Sequence, residues 1–457
     1  MRKSLLLFAA LLLTLQISAE GFQVNNLSSR QNGMGHVGTA MKLGAESLHF
    51  NPAAAAFQTS RFDISFGITG IAPSATYTPA NDYSGTPLRK YHSDSGISTP
   101  LYLYFNYKPS DRWAVGVSFT TPFGSSMKWD DNWAGAHLIQ NIDLKAYQVQ
   151  PTVSFKICPT LSIGAGLTVA WGNFNLARSM FPVGEMTNNY IGSMLTAAGM
   201  GQYAPLFTAV GDNPLLSARL DGSADVAVGV NAGIMWDPHE QWTLAFAYRS
   251  RMTMKVGRGH AALAYHSPEI EQILGATGMV PRLDQATFNT RLPLPSNLTW
   301  AVSFRPAEKW ELAVDLQWIG WSAYKELNVS FNEAELGIDD IYSVKNYQNT
   351  LAFRFGGEYR ACDWLHARMG MYVDESPVRS DYLNPETPSA TKLAFTAGLT
   401  FNLCRVLSLD VAYAYVATAD PERTGSYPYE FGGVQMPFAG NYDIHANTFS
   451  IGVRVRF

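Results

Sequence analysis

From about residue 61 onward, apolar side chains alternate with polar ones at period two. That period puts one set of side chains on each face of a strand. Trp310, Leu312, Val314, Leu316 and Trp318 stand against Glu311, Asp315 and Gln317, and Leu351, Phe353, Phe355 and Tyr359 stand against Arg354, Glu358 and Arg360. From Trp242, the same rule groups Leu244, Phe246, Tyr248, Met252 and Met254 on one face and Thr243, Ala245, Ala247, Arg249, Arg251 and Lys255 on the other. Aromatics close both ends of the apolar stripe on strand after strand, as the girdles of a transmembrane barrel require. Charged residues are 15% of the chain and aromatics 13%, a balance suited to a wall with one face in lipid.

About fourteen such segments begin near residues 61, 97, 112, 142, 160, 222, 241, 290, 309, 349, 364, 391, 407 and 446. An even count suits a closed antiparallel barrel, and closure removes the edge strands. Short turns, such as Pro109 to Asp111 and Pro306 to Glu308, alternate with long loops near 78 to 96, 124 to 141, 179 to 221, 257 to 289, 324 to 348, 375 to 390 and 420 to 445. Short periplasmic turns and long extracellular loops are the two ends of an outer-membrane barrel. The last strand ends on Phe457 with its aromatic on the lipid side, like the terminal strand by which barrel-assembly machinery recognises its clients.

The first 19 residues carry Arg2 and Lys3, an apolar run from Leu5 to Leu15 and the small residue Ala19, which is a secretory signal peptide. Its removal leaves 31 cations against 37 acids, a net charge of −6, which argues against a nucleic-acid partner. No stretch reaches the roughly 18 apolar residues of a membrane helix. The division expected is 1–19 signal peptide, 20–60 hatch or plug, and 61–457 barrel. Cys158, Cys362 and Cys404 fall in short turns and are expected to be free thiols.

Residues 20 to 60 lack the alternation and are rich in Gly, Ala, Ser and Asn, so they belong inside the wall rather than in it. Gly33, Gly35 and Gly38 satisfy GxGxxG, but without a preceding strand or a βαβ unit they signify tight bending rather than nucleotide binding. The absence of HxH, HExxH and GxSxG leaves no argument for a metal, a cofactor or an enzyme.

The chain resembles the FadL family of outer-membrane transporters of long-chain fatty acids and other hydrophobic compounds. The residues that carry the resemblance are Gly21-Phe22-Gln23, the run Gly33-Met34-Gly35-His36-Val37-Gly38, Asn51-Pro52-Ala53, Thr121-Pro122-Phe123-Gly124 with Trp129, Leu292-Pro293-Leu294-Pro295, Gly320-Trp321-Ser322 and Asp374-Glu375-Ser376-Pro377-Val378. It implies a fourteen-stranded barrel plugged by an N-terminal hatch, taking fatty acids or aromatic hydrocarbons, and in contact with outer-membrane lipids. It also implies a lateral opening at Pro122 and Gly124.

Gly33, Gly35, Gly38, Asn51, Pro52 and Ala53 are the expected gate. Arg249, Arg251, Arg354 and Arg368 are expected to face the lumen and, with Arg178, to be candidates for meeting a carboxylate, or else to pair with lumen acids. Met194, Leu195, Leu206 and Phe207 in one loop and Ile273, Leu274 and Met279 in another are expected to form an outer hydrophobic groove or to pack on each other. Ser267-Pro268-Glu269 marks a helix start. The rival function is a general diffusion porin with a water-filled channel, against which stand the hatch and the lumen-side aromatics expected at Trp364 and Tyr372. A monomer is expected.

Overall fold

In a computed structural model, the described residues are 21–80, 89–277, 280, 286–332, 340–419, 423–431 and 434–457. The signal peptide and Met279 lie outside them. Fourteen antiparallel strands close into a barrel. They are β1 Phe62–Pro79, β2 Leu101–Tyr107, β3 Trp113–Lys128, β4 Asn141–Cys158, β5 Leu161–Ser179 and β6 Leu216–His239. Then follow β7, in two pieces Trp242–Arg249 and Met252–Tyr265, and β8, in two pieces Thr287–Leu294 and Asn297–Ala307. The remaining strands are β9 Trp310–Ile319, β10 Thr350–Cys362, β11 Leu365–Asp374, β12 Lys392–Asn402, β13 Leu407–Thr418 and β14 Val434–Arg456.

Closure runs from Asp63↔Arg456 to Pro79↔Gly440, and the Phe62 N–H donates to the Phe457 carbonyl at 2.7 Å. Paired aromatics mark the short-turn end, with Trp242 and Phe304 stacked 4.3 Å apart and Trp310 and Tyr359 tilted 4.5 Å apart. Phe119, Tyr147 and Trp171 stand at the other girdle. The three cysteines are free and exposed, as the turn positions imply.

The alternation is interrupted in adjacent strands. β7 breaks at Ser250 and Arg251, where Ser250 bonds to Val230 through its hydroxyl and its N–H, and β8 breaks at Pro295 and Ser296. Each break exchanges the faces above it. Met252, Met254 and Val256 turn inward, Leu292 and Leu294 also pack inside, and Arg251, Lys255 and Arg291 turn outward. The uninterrupted period predicted from Trp242 is therefore corrected above Arg249. β6 bulges at Asp225 and Val226, both exposed, with a register shift against β5 between Ala170 and Gly172.

Residues 21–58 fill the lumen as a hatch of short turns: α1 Ser29–Asn32, α2 Ser47–Phe50 and two 3-10 turns, Gly44–Glu46 and Pro52–Phe57. Such short helices have little stability of their own; contacts to the wall hold them. Asn51 caps the Pro52 turn by accepting from the Ala53 N–H at 3.0 Å, and its amide donates to the carbonyls of Thr39 and Ile234. Ser154, Ser162 and Gln150 donate to the carbonyls of Pro52, Ala53 and Leu48 at 2.5 to 2.8 Å. Gly35, at φ +65°, donates its N–H to Thr396 Oγ1 at 2.7 Å. A Cβ on Gly370 opposite would lie 2.3 Å from Gly35 N. Wall glycines thus let the hatch backbone press directly on the strands.

Candidate functional site

Above the hatch the face exchanges give the lumen an apolar lining. Ile142 and Leu144 of β4, Phe174 of β5, Met254 and Val256 of β7, Leu292 of β8, and Phe22, Tyr324 and Leu327 surround a cavity of about 30 Å3. Phe22 closes it, packing edge-on against Trp321 at 4.8 Å and Tyr324 at 5.6 Å. Glu386 and Thr387 form its polar end. Glu386 takes a hydrogen bond from the fully buried Lys345, and Tyr347 bonds to Thr387 at 2.9 Å.

Arg178, near the top of β5, interacts electrostatically with Glu386 and Tyr427. Among the described residues its guanidinium makes no hydrogen bond, and its buried Nε has no partner. A buried donor without an acceptor is costly.

A second cavity of about 500 Å3 adjoins the first, sharing Ser125, Leu144 and Thr387 in its lining. It runs from Gln23, Val24 and Phe123 inside to Tyr147, Leu101 and the exposed Ile97 at the wall's outer face. The wall is irregular there. The β3 ladder to β4 shifts register between Thr120 and Phe123, and its β2 partners end at Tyr102↔Thr120. Pro122 has no N–H to continue a ladder. The hatch start takes the vacant place: Val24 N–H donates to the Pro122 carbonyl at 2.8 Å, Gly124 N–H donates to the Phe22 carbonyl at 3.0 Å, and Gln23 pairs with Phe123.

The predicted residues divide. Arg178 interacts electrostatically with Glu386 of the cavity but is not among the lining residues. Arg249 is engaged by the hatch, donating to the His49 carbonyl at 2.6 Å. Arg354 pairs with Asp374 at 3.4 Å and donates to Gln317 at 2.7 Å, and Arg368 pairs with Glu358 at 2.7 Å and Asp410 at 3.4 Å, so both are engaged in the wall's ionic network. Arg251 is corrected: the β7 break turns it outside. Trp364 is corrected likewise, being exposed and stacked on Phe401, whereas Tyr372 is inside against His36.

In the outer loops, Leu195, Phe207, Ile273 and Leu274 pack together between α3 Glu185–Ala197, α4 Ala204–Thr208 and α5 Pro268–Thr277, with Leu206 partly buried beside them. Met194 is exposed with Met186 and Tyr190 on one face of α3. The helix expected after Ser267 is present, its Ile270 N–H capped by the Ser267 hydroxyl at 3.3 Å. Lys345, Glu386 and Phe22 were not predicted. Lys345 is a lone cation between Tyr342 and Tyr347 in a loop, and Glu386 lies in a loop twelve residues past Asp374, where period-two patterning carries no information.

A hatch-plugged, fourteen-stranded barrel with an apolar lumen and an irregular wall strand defines an outer-membrane transporter of hydrophobic compounds. The family model for outer membrane protein transport proteins (OMPP1/FadL/TodX) matches residues 10–457, and the chain belongs to that family. A long-chain fatty acid transport protein of Escherichia coli is 25% identical over 451 residues, covering 96% of this chain and 98% of that one. Among solved structures, a Pseudomonas aeruginosa FadL homologue matches with TM-score 0.77 at 21% identity, over 96% of this chain and 100% of that one. The Pseudomonas putida toluene transporter TodX matches with TM-score 0.66 at 15% identity, over 96% and 99%. The protein thus resides in the outer membrane of a Gram-negative-type cell.

Proposed function

We propose that this protein carries long-chain fatty acids passively across the outer membrane, from the outer loops to the apolar cavity and then sideways through the gap at Pro122. The observation that carries the reading is Arg178, a cation without a hydrogen-bond acceptor among the described residues, which interacts electrostatically with Glu386 at the polar end of a greasy cavity. Lys345 is already matched by Glu386, so the corner retains one positive charge for one carboxylate.

Energetics assign the roles. About fifteen methylenes leaving water contribute roughly 12 kcal/mol gross at ~0.8 kcal/mol each. A charged hydrogen bond adds about 1.5 to 3 kcal/mol. The apolar lining therefore sets affinity, and Arg178 sets which end enters where. A cavity of about 30 Å3 holds no acyl chain, so occupancy must displace side chains, and Phe22 and Met254 are the movable ones. Displacing Phe22 strains the two hydrogen bonds by which its segment covers the gap at Pro122. Binding and opening are thereby coupled through one residue.

The test is binding to purified protein of a fatty acid and of the matched alkane and alcohol. Arg178→Ala should weaken the acid by several-fold and leave the neutral ligands within twofold. Equal losses for all three, or preferential uptake of a monoaromatic hydrocarbon, would mean that a neutral cargo is the substrate and that Arg178 is structural.

A further inference from the structure

The breaks that make the lumen apolar also export cations. Arg251 and Lys255 of β7 and Arg291 of β8 lie exposed on the outer face of the wall, and a register shift between the two strands at Phe288 and Thr290 leaves Arg258 exposed beside them. Lys255 and Arg291 are direct cross-strand partners. Like charges placed opposite each other on a sheet destabilise it unless something neutralises them. Among the described residues, none of the four makes a hydrogen bond or ion pair. The nearby outward acids do not serve: Asp221 accepts from Asn175 at 2.5 Å, and Asp225 lies alongside Gly257, unpaired with any of the four.

The height of the patch identifies its partner. From Trp242 in the inner girdle to Arg251, the strand climbs nine residues, which at about 3.3 Å each and a tilt near 40° is on the order of 22 Å. The apolar band of such barrels is about 25 Å tall. Arg251 therefore stands at the outer margin of the band, and Lys255, Arg258 and Arg291 stand in the headgroup layer above it. Alongside and below Lys255 are the exposed Val226, Val228, Val230 and Trp300, with the half-buried Phe246. An array with apolar side chains below and uncompensated guanidinium and ammonium groups above matches a lipid whose headgroup carries phosphate. Arginine favours phosphate through paired N–H donors.

We propose that Arg251, Lys255, Arg258 and Arg291 form a binding site for a phosphorylated glycolipid of the outer leaflet, held by its phosphates against β7 and β8. The site is separate from the transport path, and a bound lipid would neutralise the repulsion between Lys255 and Arg291.

The test uses full-length refolded protein and lipid A as the probe. Wild-type protein should bind bis-phosphorylated lipid A at least tenfold more tightly than the same lipid A after phosphatase treatment, and added salt should narrow the difference. The variant Arg251→Ser/Lys255→Ser/Arg258→Ser/Arg291→Ser should lose that preference while keeping the heat-modifiable migration of a folded barrel. Equal binding of the two lipid forms by wild-type protein overturns the site, and this arm does not depend on the variant folding. Displacement of lipid A by an equimolar amount of inorganic phosphate would also overturn it, because it would mean an ion site that ignores the lipid.

Discussion

Phe22 and Gly124 are joined across the hatch and the wall: the Gly124 N–H donates to the Phe22 carbonyl at 3.0 Å, while the Phe22 ring lines the apolar cavity. One residue therefore touches both the apolar cavity and the backbone bridge over the gap in β3.

Locking the seal should stop transport. Gln23 and Phe123 are bridge partners, and the Cα separation of such partners, about 4.5 to 5.5 Å, lies within disulfide reach. In a background with Cys158, Cys362 and Cys404 replaced by serine, oxidised Gln23→Cys/Phe123→Cys should reduce fatty-acid uptake at least tenfold, with recovery on reduction. Undiminished uptake by the oxidised protein would count against lateral exit.

Blocking the junction of the two cavities should act downstream of binding. Leu144 lines both, so Leu144→Trp should cut flux by an order of magnitude, more than it weakens binding in the first cavity. Parallel measurements of binding and vesicle uptake separate the two effects.

Unseating the hatch should make the barrel leak. A Cβ on Gly370 would meet Gly35 N at 2.3 Å, backbone against backbone, with no flexible side chain to give way. Gly370→Ala should raise the permeability of cells to small hydrophilic solutes several-fold, and deletion of residues 21–50 should do so more strongly. A tight membrane in both cases would mean that the hatch does not seal the lumen.

Acid should loosen the extracellular cap. The His137 ring lies between Tyr429 at 4.7 Å and Phe438 at 5.9 Å, with both nitrogens unbonded, beside the stacked pair Trp129 and Trp133. Burial first, and the Arg178 charge second, push its pKa down to about 3. A lowered histidine pKa means that the unfolded state takes up the proton first. Its stabilising share is then complete above about pH 6.5 and declines as pH falls toward 3. At about pH 4.5 the loss is on the order of 3 kcal/mol. Tryptophan fluorescence melting at neutral and acidic pH should reveal it, and His137→Phe should flatten the dependence.

Much of the barrel was legible because period two is a local signal that each strand repeats. The predicted starts at 112, 142, 160, 241, 309, 349, 364, 391 and 407 agree with the observed strands to within a residue or so. The poorest, 446 against Val434, lies where β14 runs on into an extracellular hairpin with Arg423–Phe431. Asn51-Pro52-Ala53 was legible as a hatch element through its resemblance to the FadL family, and the turn it forms, an N-cap followed by proline, depends only on neighbouring residues. The orientation of Arg251 was not. Its face depends on whether Ser250 continues the ladder or bonds back to Val230, a choice fixed by the neighbouring strand rather than by the local sequence. The pairing of Lys345 with Glu386 was hidden for the same reason, since two loops meet there that no period connects.

The interruptions in β7 and β8 make the upper half of each strand a matter of phase. Inserting or deleting one residue at Ser250 would carry Met252, Met254 and Val256 out into the membrane and bring Arg251 and Lys255 in, with every codon above the change left as it was. Length variation elsewhere in such a protein alters a loop. Here it would convert a conduit for oil into a channel lined with charge.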